Sequence, residues 1–357
     1  MAASEQNGSS ESNGASGRPP LRFGVLQFFS WPNRNVPLPV IYQRNLERVD
    51  LMESSGGYEA VWLAEHHFNT YSVCPSVHIM GTHVAARTKR LRIGTAVSLA
   101  GMYHPLRLAE EVALLDVLSG GRVNWGAGRG NDATEFTVFG LDRELSYAKL
   151  REHVEVVLAA WRNERVTYHG RFIDVDGVEV LPKPLQQPHP PVWLAASSVE
   201  AIEWAAQEGF SILMDPHSSH VEIGRKYGLY RQGLVAAGHN PEGRTTPMAR
   251  LVAVGPTDAA GEETARRGAQ WTVTSQFRGR TRTNPDGSPL PDPVQRYVDE
   301  VVIHGSPQRV ADEVLRLREE IGLDYLMIAP FSHESFLLFT NEVIPLLARQ
   351  AYVTGVA

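Results

Sequence analysis

Glu59-Ala60-Val61-Trp62-Leu63-Ala64-Glu65-His66-His67-Phe68 begins as a buried strand and ends in a carboxylate, two histidines and an aromatic ring. Five apolar residues among the first six suit a strand covered on both faces, as in a parallel α/β sheet. Titratable groups then start abruptly where that strand must end. In barrels of alternating strands and helices, catalytic groups stand at the C-terminal ends of the strands. The same stretch therefore proposes a fold and the place of its site. A lone histidine at a strand end is more often a hydrogen-bonded structural residue than a catalyst. Adjacent strand residues point to opposite faces, so His66 and His67 do not converge on one ion while both stay in the strand. No metal is expected.

Working outward, RFGVLQF (22–28) reads as the first strand and Val40 to Ser54 as a helix ended by Gly56-Gly57. Downstream, a helix from about Ser76 to Arg87 leads to a third strand, LRIGTAVSL (91–99). His104-Pro105 then opens a helix that closes at Gly120-Gly121. RVNWGAG (122–128), PVWLAA (191–196), FSILMD (210–215), MARLVAV (248–254) and DYLMIAP (324–330) supply strands four to eight, each followed by a helical pattern. Between the fourth strand's helix (about Tyr147 to Asn163) and the fifth strand lies an excursion, 166–191. Its alternation and its Asp176-Gly177 pair predict a hairpin turning there. Residues 272–296 show no periodicity. Eight strand–helix units favour a closed (β/α)8 TIM barrel over an open sheet. Residues 1–20 carry almost nothing apolar, so they read as a disordered tail without the apolar core of a signal peptide. The barrel domain is expected over 21–357.

Composition narrows the partners. A net charge of -6 with no dense basic run argues against nucleic acid and against an anionic membrane surface. Cys74 is the only cysteine, so no internal disulfide forms and a reducing cytoplasm fits. No apolar run approaches the ~18 residues that a membrane-spanning helix needs.

Gly126-Ala127-Gly128-Arg129-Gly130 invites a nucleotide reading, but Asn131 stands where a dinucleotide fingerprint needs glycine, and no Gly-Lys-Ser/Thr ending follows. A glycine-rich strand end with one arginine still suits a single phosphate group, because backbone approaches closely and guanidinium binds bidentately. An ordinary turn with a surface arginine fits equally well. Ser197-Ser198, opening the helix after strand five, offers either a plain helix cap or an anion site of amides and hydroxyls. Arg129 and Ser198 end adjacent strands of the expected barrel and can share one phosphate.

At these residues a family becomes visible. Trp62 through Phe68, Gly94-Thr95-Ala96-Val97, His104-Pro105 through Asp116, Ser119 to Arg122, Arg129-Gly130, Val138-Phe139-Gly140 and Glu203-Trp204-Ala205-Ala206 together resemble the bacterial luciferase-like flavin monooxygenases, above all the catalytic α subunit of luciferase. The resemblance runs from Leu21 to Arg349. It implies the barrel again, with a mobile loop between strands seven and eight that would contain Arg278, Arg280 and Arg282. It also implies an FMNH2-dependent two-component monooxygenase: a separate flavin reductase supplies reduced FMN, O2 is activated as a C4a-peroxide, and a small organic substrate is oxygenated. By position, His66 matches the acid–base histidine that supports the flavin peroxide, and Ala96-Val97 a non-prolyl cis peptide under the isoalloxazine. Arg129 matches the arginine on the FMN phosphate and Ser198 the serine beside it. The helix bearing Glu110 and Glu111 falls where the family dimerises, so a homodimer is expected. Gly128 replaces a reactive cysteine, Ala201 a phosphate-binding threonine, and Pro216 stands near an aromatic of the aldehyde site. Flavin chemistry therefore carries over better than the substrate. Hydride transfer with deazaflavin F420 and a non-catalytic flavin-binding subunit are the competing readings; His66 together with Arg129 favours the oxygenase.

Overall fold

The structure, a computed structural model, describes residues 20–244, 246–276 and 292–353. Its strands are β1 (Arg22–Gln27), β2 (Ala60–Leu63), β3 (Arg92–Thr95), β4 (Val123–Ala127), β5 (Arg165–His169), β6 (Asp174–Glu179), β7 (Val192–Ala195), β8 (Ser211–Leu213), β9 (Met248–Val254), β10 (Val302–Gly305) and β11 (Tyr325–Pro330). Nine of them form one sheet in the order β10-β9-β11-β1-β2-β3-β4-β7-β8. Every pairing in it is parallel. A parallel bridge from Met214, just past β8, to Met248 at the start of β9 joins the sheet to itself. Eight strands thus close into the (β/α)8 barrel, and β10 adds to the C-terminal half of β9.

The opening stretch shows why the sheet is covered on both sides. Val61 and Leu63 point outward into the layer shared with the helices, among Val84, Ile93 and Val112. Ala60, Trp62 and Ala64 point into the barrel beside Trp193, Leu213 and Met327. One strand with both faces buried reads as a continuous apolar run. Inside, the Trp62 indole N–H donates to the Tyr325 hydroxyl at 3.0 Å and the ring meets Trp193 edge-on at 5.2 Å. Gly94 makes room for it: a Cβ there would lie 2.1 Å from the Trp62 ring. At the strand starts, Arg22 binds both carboxylate oxygens of Glu59 at 2.6 Å and lies over the Tyr325 ring. Aromatic rings and a bidentate ion pair fill this end of the barrel.

The structure corrects the sequence reading in several places. The hairpin β5–β6 turns at Gly170–Ile173, where the Gly170 N–H donates to the Ile173 carbonyl at 2.8 Å. A distant carboxylate fixes that turn: Glu152, on the helix Ser146–Arg162, accepts the N–H groups of Arg171, Phe172 and Ile173 at 3.0, 2.8 and 2.7 Å. Asp176-Gly177 lies inside β6 instead, with Gly177 at φ 60° beside the irregular pairing between Val166 and Tyr168. Helices Ala133–Val138 and Pro293–Glu300 and strand β10 were not anticipated. The helix Asp258–Gln276 runs into the stretch that lacked periodicity. Of the expected mobile loop 272–296, the two ends are helical, and 277–291, with Arg278, Arg280 and Arg282, lie outside the described residues.

Candidate active site

The apolar run of β2 ends at Leu63, and the chain turns so that its two histidines diverge. The His67 ring reaches the Glu65 carboxylate at 3.1 Å, while the His67 backbone N–H donates to Glu135 at 2.9 Å. Glu65 is buried and also accepts the Tyr103 hydroxyl at 2.9 Å. His66 faces the other way, 5.1 Å from the Tyr71 ring and 6.4 Å from the Phe28 ring. Its Nδ1 is buried, has no hydrogen-bond partner, and lies 3.6 Å from the Glu135 carboxylate. A quarter of the ring stays exposed. His67 is thus a tied structural histidine, and His66 keeps unused capacity for a proton. Among the described residues no group of three or more His, Cys, Asp or Glu is arranged to hold a metal ion.

Ala96 and Val97 follow β3 and are joined by a cis peptide. Both are half-buried and pack against the barrel interior. Flanking bonds pin them: the Ala96 N–H donates to the Leu63 carbonyl at 2.7 Å and the Ser98 N–H to the Gly126 carbonyl at 2.8 Å. The Thr95 hydroxyl donates to that same carbonyl at 2.7 Å. These contacts also explain the glycines of β4. A Cβ on Gly126 would sit 1.9 Å from the Thr95 carbonyl oxygen, and one on Gly128 would sit 2.5 Å from the Val97 side chain. Both glycines serve the approach of two pieces of chain, not of a ligand. Gly130 does serve the turn, at φ 85°.

Arg129 and Ser198 do come to the same end of neighbouring strands β4 and β7. The guanidinium of Arg129 makes one 3.3 Å bond, to the Ser146 hydroxyl, and has no ion pair among the described residues. Next to Ser146, Tyr147 donates to the Glu200 carbonyl at 3.2 Å, which ties the Arg129 side to the first turn of the helix Val199–Gln207. Ser198 caps that helix, its hydroxyl oxygen accepting the Ala201 N–H at 3.2 Å. Its hydrogen remains free to donate, as do backbone N–H groups of the first turn. Ser197 is exposed beside it. The capping reading holds for Ser198, and the cap leaves those donors unused among the described residues. Glu135 links the two halves of the site. It sits on the helix that follows Arg129-Gly130 and meets both histidines after β2.

Tyr71 and His217 escaped the sequence reading. The Tyr71 hydroxyl and His217 Nε2 are 3.1 Å apart, and Tyr71 stacks on Trp271 at 5.7 Å. Burial pulls His217 down to about 4 despite Asp215 and pushes the Tyr71 hydroxyl up. Asp215 is held down to about 2: burial opposes this, but Lys226, His217 and Arg250 outweigh it. His217 carried a signal of the kind that marked His66, a histidine just beyond a buried strand. Tyr71 carried none, since only the folded chain brings it against the His66 ring.

A family model described as luciferase-like monooxygenase matches residues 21–325. Among curated relatives, the protein y4wF of Sinorhizobium fredii is 30% identical over 285 residues, 79% of this chain and 83% of its own. The oxygenase component of a flavin-dependent trigonelline monooxygenase of Acinetobacter baylyi is 31% identical over 193 residues, 53% of each chain. The alkanal monooxygenase alpha chain of the Kryptophanaron alfredi symbiont is 28% identical over 197 residues, 55% of each. The chain thus spans about half the length of these last two. Of solved structures, monooxygenase RslO1 of Streptomyces bottropensis superposes with a TM-score of 0.80 at 23% identity, over 91% of this chain and 99% of its own. The oxygenating constituent of 3,6-diketocamphane monooxygenase of Pseudomonas putida, in complex with FMN, gives 0.75 at 18%, over 91% and 98%. An F420-dependent secondary alcohol dehydrogenase gives 0.72 at 21%, over 92% and 99%. At such identities these three speak for the fold.

Proposed function

The chain belongs to the luciferase-like monooxygenases, and from that premise we propose that it is a flavin-dependent monooxygenase using reduced FMN delivered by a separate reductase. The observation that carries this reading is the pairing of an arginine without a carboxylate, Arg129, with an open helix first turn at Ser197-Ser198. That set fits a phosphate: guanidinium, hydroxyl and backbone donors meet at a helix N-terminus. Bound there, reduced FMN supplies the electrons with which oxygen is activated. The residues of the chain do the rest. Arg129 and Ser198 hold the phosphate, and Ala96-Val97 supports the flat ring from the barrel side. His66, with Nδ1 unbonded and one flank open, holds or moves a proton at the reacting centre. Phe28, Tyr71 and Trp271 keep water from its other flank.

We read residues 21–357 as one barrel unit, working in the cytoplasm and paired as a homodimer. Ile79, Leu114 and Leu118 stand exposed on the helices Val77–Arg87 and Pro105–Ser119 and supply an apolar face for that pairing. Glu111 is already taken up by His78 and Arg107 within the subunit.

The deciding experiment mixes the protein with chemically reduced FMN and air and follows absorbance and oxygen consumption. The proposal expects tight binding of reduced FMN and a flavin spectrum during reoxidation that differs from that of free FMN. Reoxidation identical to that of free FMN sinks it in favour of a non-catalytic subunit. Tight binding of F420 without oxygen consumption would assign the site to hydride transfer.

A further inference from the structure

A cavity of about 610 Å³ opens at the C-terminal ends of β1, β9 and β11. Its size suits a small organic molecule. Phe28 and Tyr71, which flank the His66 ring, also line this cavity, so a ligand in it lies one aromatic ring away from the proposed proton-handling residue. Leu26, Trp271 and Phe331 extend the apolar surface.

The polar rim is one-sided. Arg44 and Arg48, one turn apart on the helix Leu38–Ser55, line it together with Arg267 and His333, and among the described residues no aspartate or glutamate does. Asp50 pairs with Arg87 and Glu263 with Arg267 at 2.7 Å, while Glu47, which accepts from Gln43 at 2.9 Å, offsets the charge of Arg48 at His333 only in part. Arg48 is half-buried and donates only to His333 Nδ1, at 3.4 Å, while facing the Phe336 ring at 5.9 Å. His333 must then be neutral to accept, and burial followed by the charge of Arg48 lowers its pKa. Among the described residues Arg44 has no partner at all, and it is exposed at the rim. The half-buried Arg48 guanidinium, bonded only to a neutral histidine among the described residues, gains from an arriving anion, and the exposed Arg44 adds charge of the same sign at the rim.

We propose that this cavity binds the substrate and that the substrate is an organic oxyanion, its ring or hydrocarbon body against Phe28, Tyr71 and Trp271 and its anionic head held by Arg48 and Arg44. The ligand's oxygenation rests on the monooxygenase reading; its binding does not. Guanidinium forks match carboxylates, sulfonates and phosphates alike, so the head group is defined by its charge and paired oxygens.

The test titrates the full-length protein with 1-naphthoate, 1-naphthalenesulfonate and 1-naphthyl phosphate against neutral 1-naphthamide, by calorimetry and tryptophan fluorescence. The tightest anion should bind at least about tenfold better than the amide, the size of one charge-assisted contact. Arg48→Met should cost that anion about ten- to a hundredfold and leave the amide within about threefold. Arg44→Gln, at an exposed position that does not endanger folding, should cost it about three- to tenfold. No preference for any anion over the amide overturns the proposal, as does a preference that survives both substitutions. Should Arg48→Met fail to fold, Arg48→Lys replaces it and must weaken the anion selectively. Chemically reduced FMN is titrated anaerobically into the unsubstituted protein in parallel. Binding of reduced FMN without anion preference sinks the cavity assignment alone, and anion preference without binding of reduced FMN sinks the monooxygenase reading alone.

Discussion

The two ends of the barrel treat their polar groups in opposite ways. At the N-terminal end, Arg22 meets both oxygens of Glu59, Arg92 meets Asn124 and Gln186, and Arg122 is bonded to carbonyls of the preceding helix and loop. Trp62, Trp193 and Tyr325 fill the space between. At the C-terminal end, Arg129 has a single long bond to a hydroxyl, Arg48 a single long bond to a histidine, and His66 Nδ1 none. Buried polar groups are normally satisfied within the chain. An end whose arginines Arg22, Arg92 and Arg122 are bonded within the chain is a foundation, and an end where Arg129, Arg48 and one imidazole nitrogen keep donors or lone pairs to spare can take up molecules that arrive later.

Four measurements would sharpen or break this contrast. The largest effect is expected at His66. His66→Ala should lower product turnover by ~10²–10⁴-fold and leave the melting temperature near that of the parent, because Nδ1 makes no hydrogen bond among the described residues and lies 3.6 Å from Glu135. Oxygen would still be consumed, and hydrogen peroxide would appear in place of product. A mutant with normal product yield returns His66 to a structural role.

Gly94→Ala tests the opposite end. The new Cβ collides with a Trp62 ring that Tyr325 and Trp193 hold in place, so thermal or denaturant unfolding should report a loss of about 1–3 kcal/mol. Unchanged stability would mean that the lower barrel is looser than its packing implies. Third, Arg129→Ala should weaken reduced FMN about ten- to a hundredfold while riboflavin, lacking the phosphate, binds as before. Equal losses for the two flavins would remove Arg129 from the phosphate. The smallest effect is Ser198→Ala, which deletes a cap and one donor together. Stability should fall by about 0.5–2 kcal/mol, and FMN affinity should fall more than riboflavin affinity. A stability loss with no flavin preference would leave Ser198 a cap and nothing more.

Much of this was legible before any coordinates. Period and length marked the buried strands, because a strand covered on both faces must be apolar throughout; Met248–Val254 matches its predicted bounds. Strand ends marked the site, because the parallel topology sends every βα turn to one end. Spacing and resemblance together put His66, Ala96-Val97, Arg129 and Ser197-Ser198 at one expected site. Other features depended on partners far away in the chain. Gly126 and Gly128 looked like a phosphate loop, yet their missing side chains make room for Thr95 and Val97 of the neighbouring strand. The hairpin turn belongs to Gly170–Ile173 because a carboxylate on another helix satisfies three of its N–H groups, and no local rule could outweigh that. Tyr71, His217, Arg44 and Arg48 are unremarkable as letters. They became a site wall and a cationic rim only when the closed barrel brought the ends of β1, β2, β8, β9 and β11 around one space. The sequence by itself determined the eight barrel strands and the end of the barrel at which a site is expected, since both follow from local periodicity and chain direction. Tertiary structure alone decided which polar groups are satisfied and which wait for a ligand, since that depends on neighbours that local sequence does not name.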